Sequence, residues 1–179
     1  MADEQLNETA EDIMEAPERV LPDNPVLAGL IEPFSGVEWN LSLDQDTATV
    51  PRDQLRDFAE AAHRAGFEML VDLTAVDYWR VRRVRFEVVV GLLSLEHNIR
   101  LRLLVPVPAD EPSVPSLVSV YPGANFFERE VFDLFGIIFD GHPDLTRILL
   151  PDDWVGHPLR KDFSTGAVPV QFKSSPQVN

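Results

Sequence analysis

Apolar and polar positions alternate in two different periods along the chain. Val26, Leu27, Leu30 and Ile31 form one apolar stripe behind Asn24-Pro25, an N-cap followed by proline at the first helical position, and Pro33 ends it. Residues 38–50 read as two short strands around the polar turn Asp44-Gln45-Asp46. After Pro51, Leu55, Phe58, Ala59 and Ala62 recur at helical spacing, and Gly66 is placed to close that helix. Residues 67–76 predict a strand that leads into Asp77-Tyr78-Trp79. The period then becomes two. Val84, Phe86, Val88, Val90 and Leu92 share one face, Ile99, Leu101, Leu103 and Val105 share another, and residues 94–98 turn the chain between them into an antiparallel hairpin. Its solvent face is expected to carry Arg85, Glu87, Arg100 and Arg102.

Residues 106–115 hold four prolines, which predicts a stiff connector without helix or central strand. Asn125-Phe126-Phe127-Glu128 fits a helix start with Glu128 at the third position, reaching back to the cap. Phe127, Val131, Leu134 and Phe135 supply its buried stripe, and Gly136 its end. The order of elements predicts an α+β fold: a single two-layer domain with a mixed, largely antiparallel sheet packed by helices. The core domain spans 21–135. An acidic N-terminal tail over 1–20 and an extended motif segment with a C-terminal arm over 136–179 flank it.

Composition sharpens this picture by exclusion. The chain has 179 residues, no cysteine and a formal net charge of −15. Without thiolates it has no disulfides, no thiolate catalysis, no Cys-type zinc site and no iron–sulfur cluster of its own. The charge opposes nucleic acid or anionic lipid as the main partner. Residues 1–20 carry seven acids against Arg19 alone, so this segment is expected to be mobile. In contrast, six arginines and two glutamates lie between Arg80 and Arg102. This local basic patch is either a solvated sheet face laced by ion pairs or a docking surface for an acidic neighbour. No apolar run approaches the ~18 residues of a membrane span, and the acidic N-terminus is unlike a signal sequence. An intracellular protein, soluble or at most peripheral to a membrane, is the expectation.

Candidate chemistry concentrates in residues 125–163. Glu128, Arg129, Glu130 and Asp133 share one helix, and paired carboxylates invite an acid–base or metal reading. Local structure accounts for most of them, because Glu128 can cap and Arg129 can pair with Asp133 one turn on. Glu130 is left over. Two Gly-His-Pro triplets follow, at 141–143 and 156–158, with Asp144, Asp152 and Asp153 nearby. Proline pushes His142 and His157 out of the α region, and their spacing fits no ligand pattern, so a structural or interface role is favoured. There is no glycine-rich phosphate loop and no nucleophile elbow. The residues alone point to a contact surface rather than an active site.

The stretch Glu128-Arg129-Glu130-Val131-Phe132-Asp133-Leu134-Phe135-Gly136-Ile137, then Gly141-His142-Pro143-Asp144-Leu145, Arg147-Ile148-Leu149, and Gly156-His157-Pro158-Leu159-Arg160-Lys161-Asp162-Phe163, closely resembles the C subunit of NADH-quinone oxidoreductase, the 30-kilodalton subunit family of respiratory complex I. It departs from that pattern at Thr146, where the family usually has a second basic residue, and at Phe126-Phe127, where a tryptophan is usual. The resemblance implies a peripheral subunit on the cytoplasmic side of the membrane that binds no cofactor. Flavin and iron–sulfur clusters would sit on partner subunits, and the chain would dock chiefly on the D subunit, beside the quinone site, in a hetero-oligomer. Glu128, Arg129, Glu130, Asp133, His142, Pro143, Arg147, His157, Arg160, Lys161 and Asp162 would be interface or turn-fixing groups, with none catalytic. Glu130 and Arg160 are expected at or close to the subunit junction, since a His-Pro turn aims Arg160 away from regular structure. The equivalent subunit of a membrane-bound hydrogenase or an F420 dehydrogenase is the alternative.

Overall fold

The two periods become two layers in the computed structural model, which describes residues 20–164 and residue 166. The sheet contains β1 (Glu38–Ser42), β2 (Gln45–Thr49), β3 (Met69–Asp77), β4 (Phe86–Ser94) and β5 (Ile99–Val107), in the order β1-β2-β5-β4-β3. All pairs are antiparallel except β2 with β5, so the sheet is mixed as expected. Phe86, Val88, Val90 and Leu92 of β4 and Leu101, Leu103, Val105 and Val107 of β5 are buried on the inner face. Three helices cover that face: α1 (Pro25–Ile31), α2 (Leu55–Arg64) and α3 (Ala124–Phe135). Asn24 caps α1 as its sequence predicts, its side-chain oxygen accepting from the N–H groups of Val26 (2.9 Å) and Leu27 (3.3 Å). A short 3-10 turn over Arg52–Gln54 precedes α2, and Gly66 ends the helical segment at φ +90°. Phe58 and Phe67 are fully buried in the core, each contributing about 2–3 kcal/mol through apolar area removed from water.

Three local expectations are corrected. The first hairpin turns at Leu43-Asp44, both with positive φ, so Gln45 and Asp46 belong to β2. Asp46 there accepts from the Trp39 indole at 2.9 Å. A two-residue turn with both residues left-handed matches the strand twist, and Leu43 is the exposed residue that bears the cost. The proline-rich stretch is also less bare than expected. Pro106 lies within β5, where it pairs with Glu87 on one side only, since β2 has already ended at Thr49. A proline lacks a ladder donor, and on that unpaired side none is needed. Ser113–Pro115 forms β6, parallel to β7 (Ile138–Asp140). Finally, Arg85 and Glu87 do not sit in open solvent. Glu87 is buried and accepts from Arg82 at 3.0 Å and from the Tyr78 hydroxyl at 3.2 Å, while Arg85 is largely covered by two carboxylates. The expected acidic tail and most of the C-terminal arm lie outside the described residues.

Candidate docking site

Helix α3 organises the irregular segment that follows it, and Asp133 is the centre of that organisation. The side chain points inward on α3 and is completely buried. One carboxylate oxygen accepts from Arg147 at 2.5 Å. The other accepts from three successive backbone N–H groups, those of Ile148 (3.1 Å), Leu149 (2.9 Å) and Leu150 (2.9 Å). Burial alone would raise this carboxyl, but the N–H groups of Leu150, Leu149 and Ile148 and the Arg147 guanidinium outweigh it and hold it below the ordinary carboxylate range. Arg147 is used on both sides. It also donates to the Asp133 carbonyl (3.2 Å) and to the carbonyls of Trp154 (3.1 Å) and Gly156 (3.2 Å). Residues 147–156, which have no regular structure, are therefore folded around one buried ion pair.

The expected Arg129–Asp133 pair does not form, because the two side chains leave α3 in different directions. Arg129 donates to the carbonyls of Thr146 (3.1 Å) and Arg147 (3.0 Å), steadying the same loop from outside. Glu128 does not cap either. The helix starts two residues early, at Ala124, and its N-cap is Gly123 without a side-chain bond. Glu128 instead points into the core, where it accepts from Ser116 Oγ (2.7 Å) and the Leu117 N–H (2.6 Å). Burial pushes its carboxyl up to about 7, against the opposing pull of Ser116, Leu117 and Arg56. Glu130 is exposed, and no described residue pairs with it.

The second histidine turn closes back on the end of α3. Gly136 adopts φ +70°, and a Cβ there would lie 2.5 Å from the His157 ring and 2.6 Å from Arg160. Only glycine satisfies both the backbone and the space. His157 Nδ1–H donates to the Asp133 carbonyl at 2.9 Å, and burial lowers the basicity of its ring, with the Arg160 and Arg147 charges adding to that effect. Arg160 corrects a further expectation. It does not point away from regular structure but folds onto α3, donating to the carbonyls of Phe135 (2.5 Å) and Gly136 (3.3 Å) while its guanidinium lies over Phe86. It thereby satisfies helix-terminal acceptors that would otherwise be orphaned. His142 acts locally in a similar way. Its Nδ1 accepts from the Asp144 N–H (3.0 Å), leaving Nε2–H to donate to the Asn125 carbonyl (3.3 Å). Pro143, next to it, is exposed.

A further buried carboxylate was missed by sequence reasoning. Asp77, at the end of β3, holds Arg85 through both oxygens (3.0 and 2.8 Å) and accepts from the N–H groups of Trp79 and Lys161, both at 2.9 Å. Arg85 bridges on to Asp162 at 2.6 Å. Lys161 thus contributes its backbone, and its side chain is exposed. The one available signal was an acid placed directly after an apolar strand, which is equally common at a turn.

With the polar groups turned inward, the segment presents apolar ones outward. Leu149 is 62% exposed, Val155 88% and Leu159 50%, and Ile148 and Phe126 lie exposed nearby in sequence or on α3. These exposed apolar side chains lie on a segment whose backbone is fixed from beneath. Among the described residues, no three His, Asp or Glu side chains come together as a metal site, and no helix is long and apolar enough to cross a membrane.

Comparison with known proteins agrees with the motif. The family described as respiratory-chain NADH dehydrogenase, 30 Kd subunit, matches residues 48–168. The NADH-quinone oxidoreductase C subunit from Mycolicibacterium gilvum is 46% identical over 132 residues, covering 72% of this chain and 58% of its own length. The protein of the same name from Nocardioides is 52% identical over 110 residues, 62% of this chain and 44% of its own. The chain thus spans about half the length of the curated relatives it matches. Among solved structures, a trypsin-resistant fragment of Nqo5 superposes with a TM-score of 0.62 at 34% identity, covering 67% of this chain and 99% of the fragment. A chain of the membrane-bound sulfane sulfur reductase, an archaeal respiratory membrane complex, superposes with a TM-score of 0.69 at 24% identity over 84% of this chain and 95% of its own, a likeness of fold alone.

Proposed function

The chain belongs to the 30 Kd subunit family of the respiratory-chain NADH dehydrogenase, and from that premise we propose that it is a cofactor-free docking subunit in the peripheral arm of a membrane-bound NADH:quinone oxidoreductase. Its role is structural. It docks on the neighbouring D subunit, beside the quinone site, on the cytoplasmic side of the membrane, while flavin and iron–sulfur clusters on other subunits carry the electrons from NADH.

The observation that carries this reading is the inverted polarity of residues 147–160. Buried Asp133 and half-buried Arg147 and Arg160 fasten the backbone from inside, and Leu149, Val155 and Leu159 face outward. Preorganising a loop in this way removes part of the ordering cost of association. The absence of cysteine fits a subunit that leaves redox chemistry to its partners. The choice of this complex over a related hydrogenase or dehydrogenase rests on the named sequence relatives, since the archaeal likeness is one of fold.

The test is a tagged chain carrying Leu149→Asp and Val155→Asp, purified from native membranes. Both positions are exposed, so the isolated variant is expected to keep its melting temperature, while the co-purifying subunits and NADH:quinone activity are lost. Normal assembly and turnover in that variant would refute docking through this loop.

A further inference from the structure

The face of the sheet turned away from the helices is open, and its side chains are unlike those of an ordinary solvated face. Alternation places Arg100, Arg102 and Leu104 of β5, and Glu87, Val89, Gly91 and Leu93 of β4, on this side. Of these, Glu87, Val89, Arg102 and Leu104 line a depression of about 320 Å³ with Val76, Val89 and Leu104 as its apolar floor. Tyr78, Arg82 and Glu87 form one wall, and Arg102 with Thr47 and Asn40 forms the other. Glu87 is already answered by Arg82 and the Tyr78 hydroxyl. Arg102 is answered by no carboxylate among the described residues. Its cross-strand neighbours are Gly91, which has no side chain, and Thr47, which is neutral. Asp72, the next residue along that row, makes no ion pair with it. Arg100 stands beside Leu93 and is equally free of carboxylates among the described residues.

Two guanidiniums without a carboxylate partner among the described residues, Arg102 at the rim of an apolar floor and Arg100 one step along the same face of β5, are unexpected on a protein of net charge −15. We infer that this face receives an acidic segment of a neighbouring subunit, with carboxylates over Arg100 and Arg102 and an apolar side chain in the Val76–Val89–Leu104 depression. The inference rests on the proposed membership of a multisubunit complex and adds a second contact surface, remote from the α3 loop in sequence and different in chemistry. The domain's overall negative charge opposes an extended polyanion at long range, whereas screening over ~8 Å at physiological salt leaves the local pairing intact. That balance selects a segment in which acids are interspersed with apolar residues, which is protein rather than nucleic acid.

The test places p-benzoylphenylalanine at Thr74, an exposed position directly across from Val89, and irradiates the assembled complex in native membranes. The expected cross-link joins an Asp- or Glu-containing peptide of another subunit. Its yield is expected to fall at least ~tenfold in the Arg100→Glu/Arg102→Glu variant, because a buried or rim charge is turned into a repulsion. Arg64→Glu, on the helix side, changes it less than ~twofold by the same principle. A cross-link to residues 3–18 of this same chain, to a peptide without carboxylates, or to nothing while the other subunits co-purify, overturns this inference and leaves the proposed function standing. If the unmodified chain brings down no other subunit, both fall.

Discussion

The sheet and the segment after α3 are held together by opposite means. In β4 and β5 the backbone satisfies itself through the ladder, and the inner face is apolar from Phe86 to Leu92 and from Leu101 to Val107. From Gly136 to Phe163 the only strand is three residues long, and side chains do the work of the ladder: Asp133, Arg129, Arg147, His157 and Arg160 between them bind backbone groups of at least eight residues. Apolar packing is forgiving of shape-conserving exchange, because no single group is indispensable. A buried ion that organises a loop is not, because removing one member leaves its partner charged and unsatisfied.

The contrast is broken most sharply by two isosteric substitutions. Asp133→Asn leaves Arg147 as an uncompensated buried cation and offers an amide to three N–H donors, at an expected cost of about 3–5 kcal/mol. Leu103→Met, in the centre of the sheet, is expected to cost less than ~1.5 kcal/mol. Denaturant titration of both variants checks this, and equal costs would abolish the distinction. Next in size is a pair of alanine substitutions at glycine. Gly136→Ala forces a side chain into a left-handed site already filled by His157 and Arg160, for about 2–3 kcal/mol lost. Gly29→Ala, on α1 with open space around it, is expected to gain about 0.5–1 kcal/mol through helix propensity. Thermal melts of the two variants should move in opposite directions.

The third contrast is a pH dependence. Glu128 has its carboxyl raised from 4.5 to about 7 by burial, so the folded state holds a proton that the unfolded chain releases. Its stabilising share is complete below about pH 4.5 and is lost as pH climbs through 7. His157, lowered from 6.5, runs the other way: its share is present above 6.5 and fades as pH falls. The two partly cancel in the wild type. Subtracting the curve of Glu128→Gln isolates the first, and the variant should gain about 2 kcal/mol on the wild type between pH 5 and pH 8. A constant difference across that range would mean that Glu128 is ionised throughout. The buried aspartates Asp77 and Asp133 titrate below the ordinary carboxylate range and do not enter this window.

What could be read from the sequence divides along the same line. The strands of the hairpin, the capped start of α1 and the glycine that closes α3 follow from local patterns, period two, Asn-Pro and a single Gly, and the structure reproduces them to within two residues at strand ends. The pairing of Asp133 with Arg147 and of Asp77 with Arg85 and Lys161 does not, since these partners lie 14 and 8 to 84 residues apart. Local rules assigned the charges of α3 to each other, Glu128 to the cap and Arg129 to Asp133, because helical neighbours are the cheapest partners visible in one dimension. Tertiary packing overrode both: α3 turns Glu128 and Asp133 toward the core, where only residues from other parts of the chain can reach them. The motif at 128–163 marked the region where buried charges organise irregular backbone, and the contacts of each residue within it needed the fold.

The most direct measurement asks whether Asp133 builds the proposed docking loop in advance or a partner orders it. Native-state hydrogen exchange on the isolated chain reads this at the amides of Ile148, Leu149 and Leu150, which sit in a loop of no regular structure and point at one carboxylate. A loop built in advance makes these three amides exchange as slowly as the β4–β5 ladder in the wild-type chain and fast in Asp133→Asn. Exchange at the unprotected rate in the wild-type chain, slowing only in the assembled complex, would contradict it.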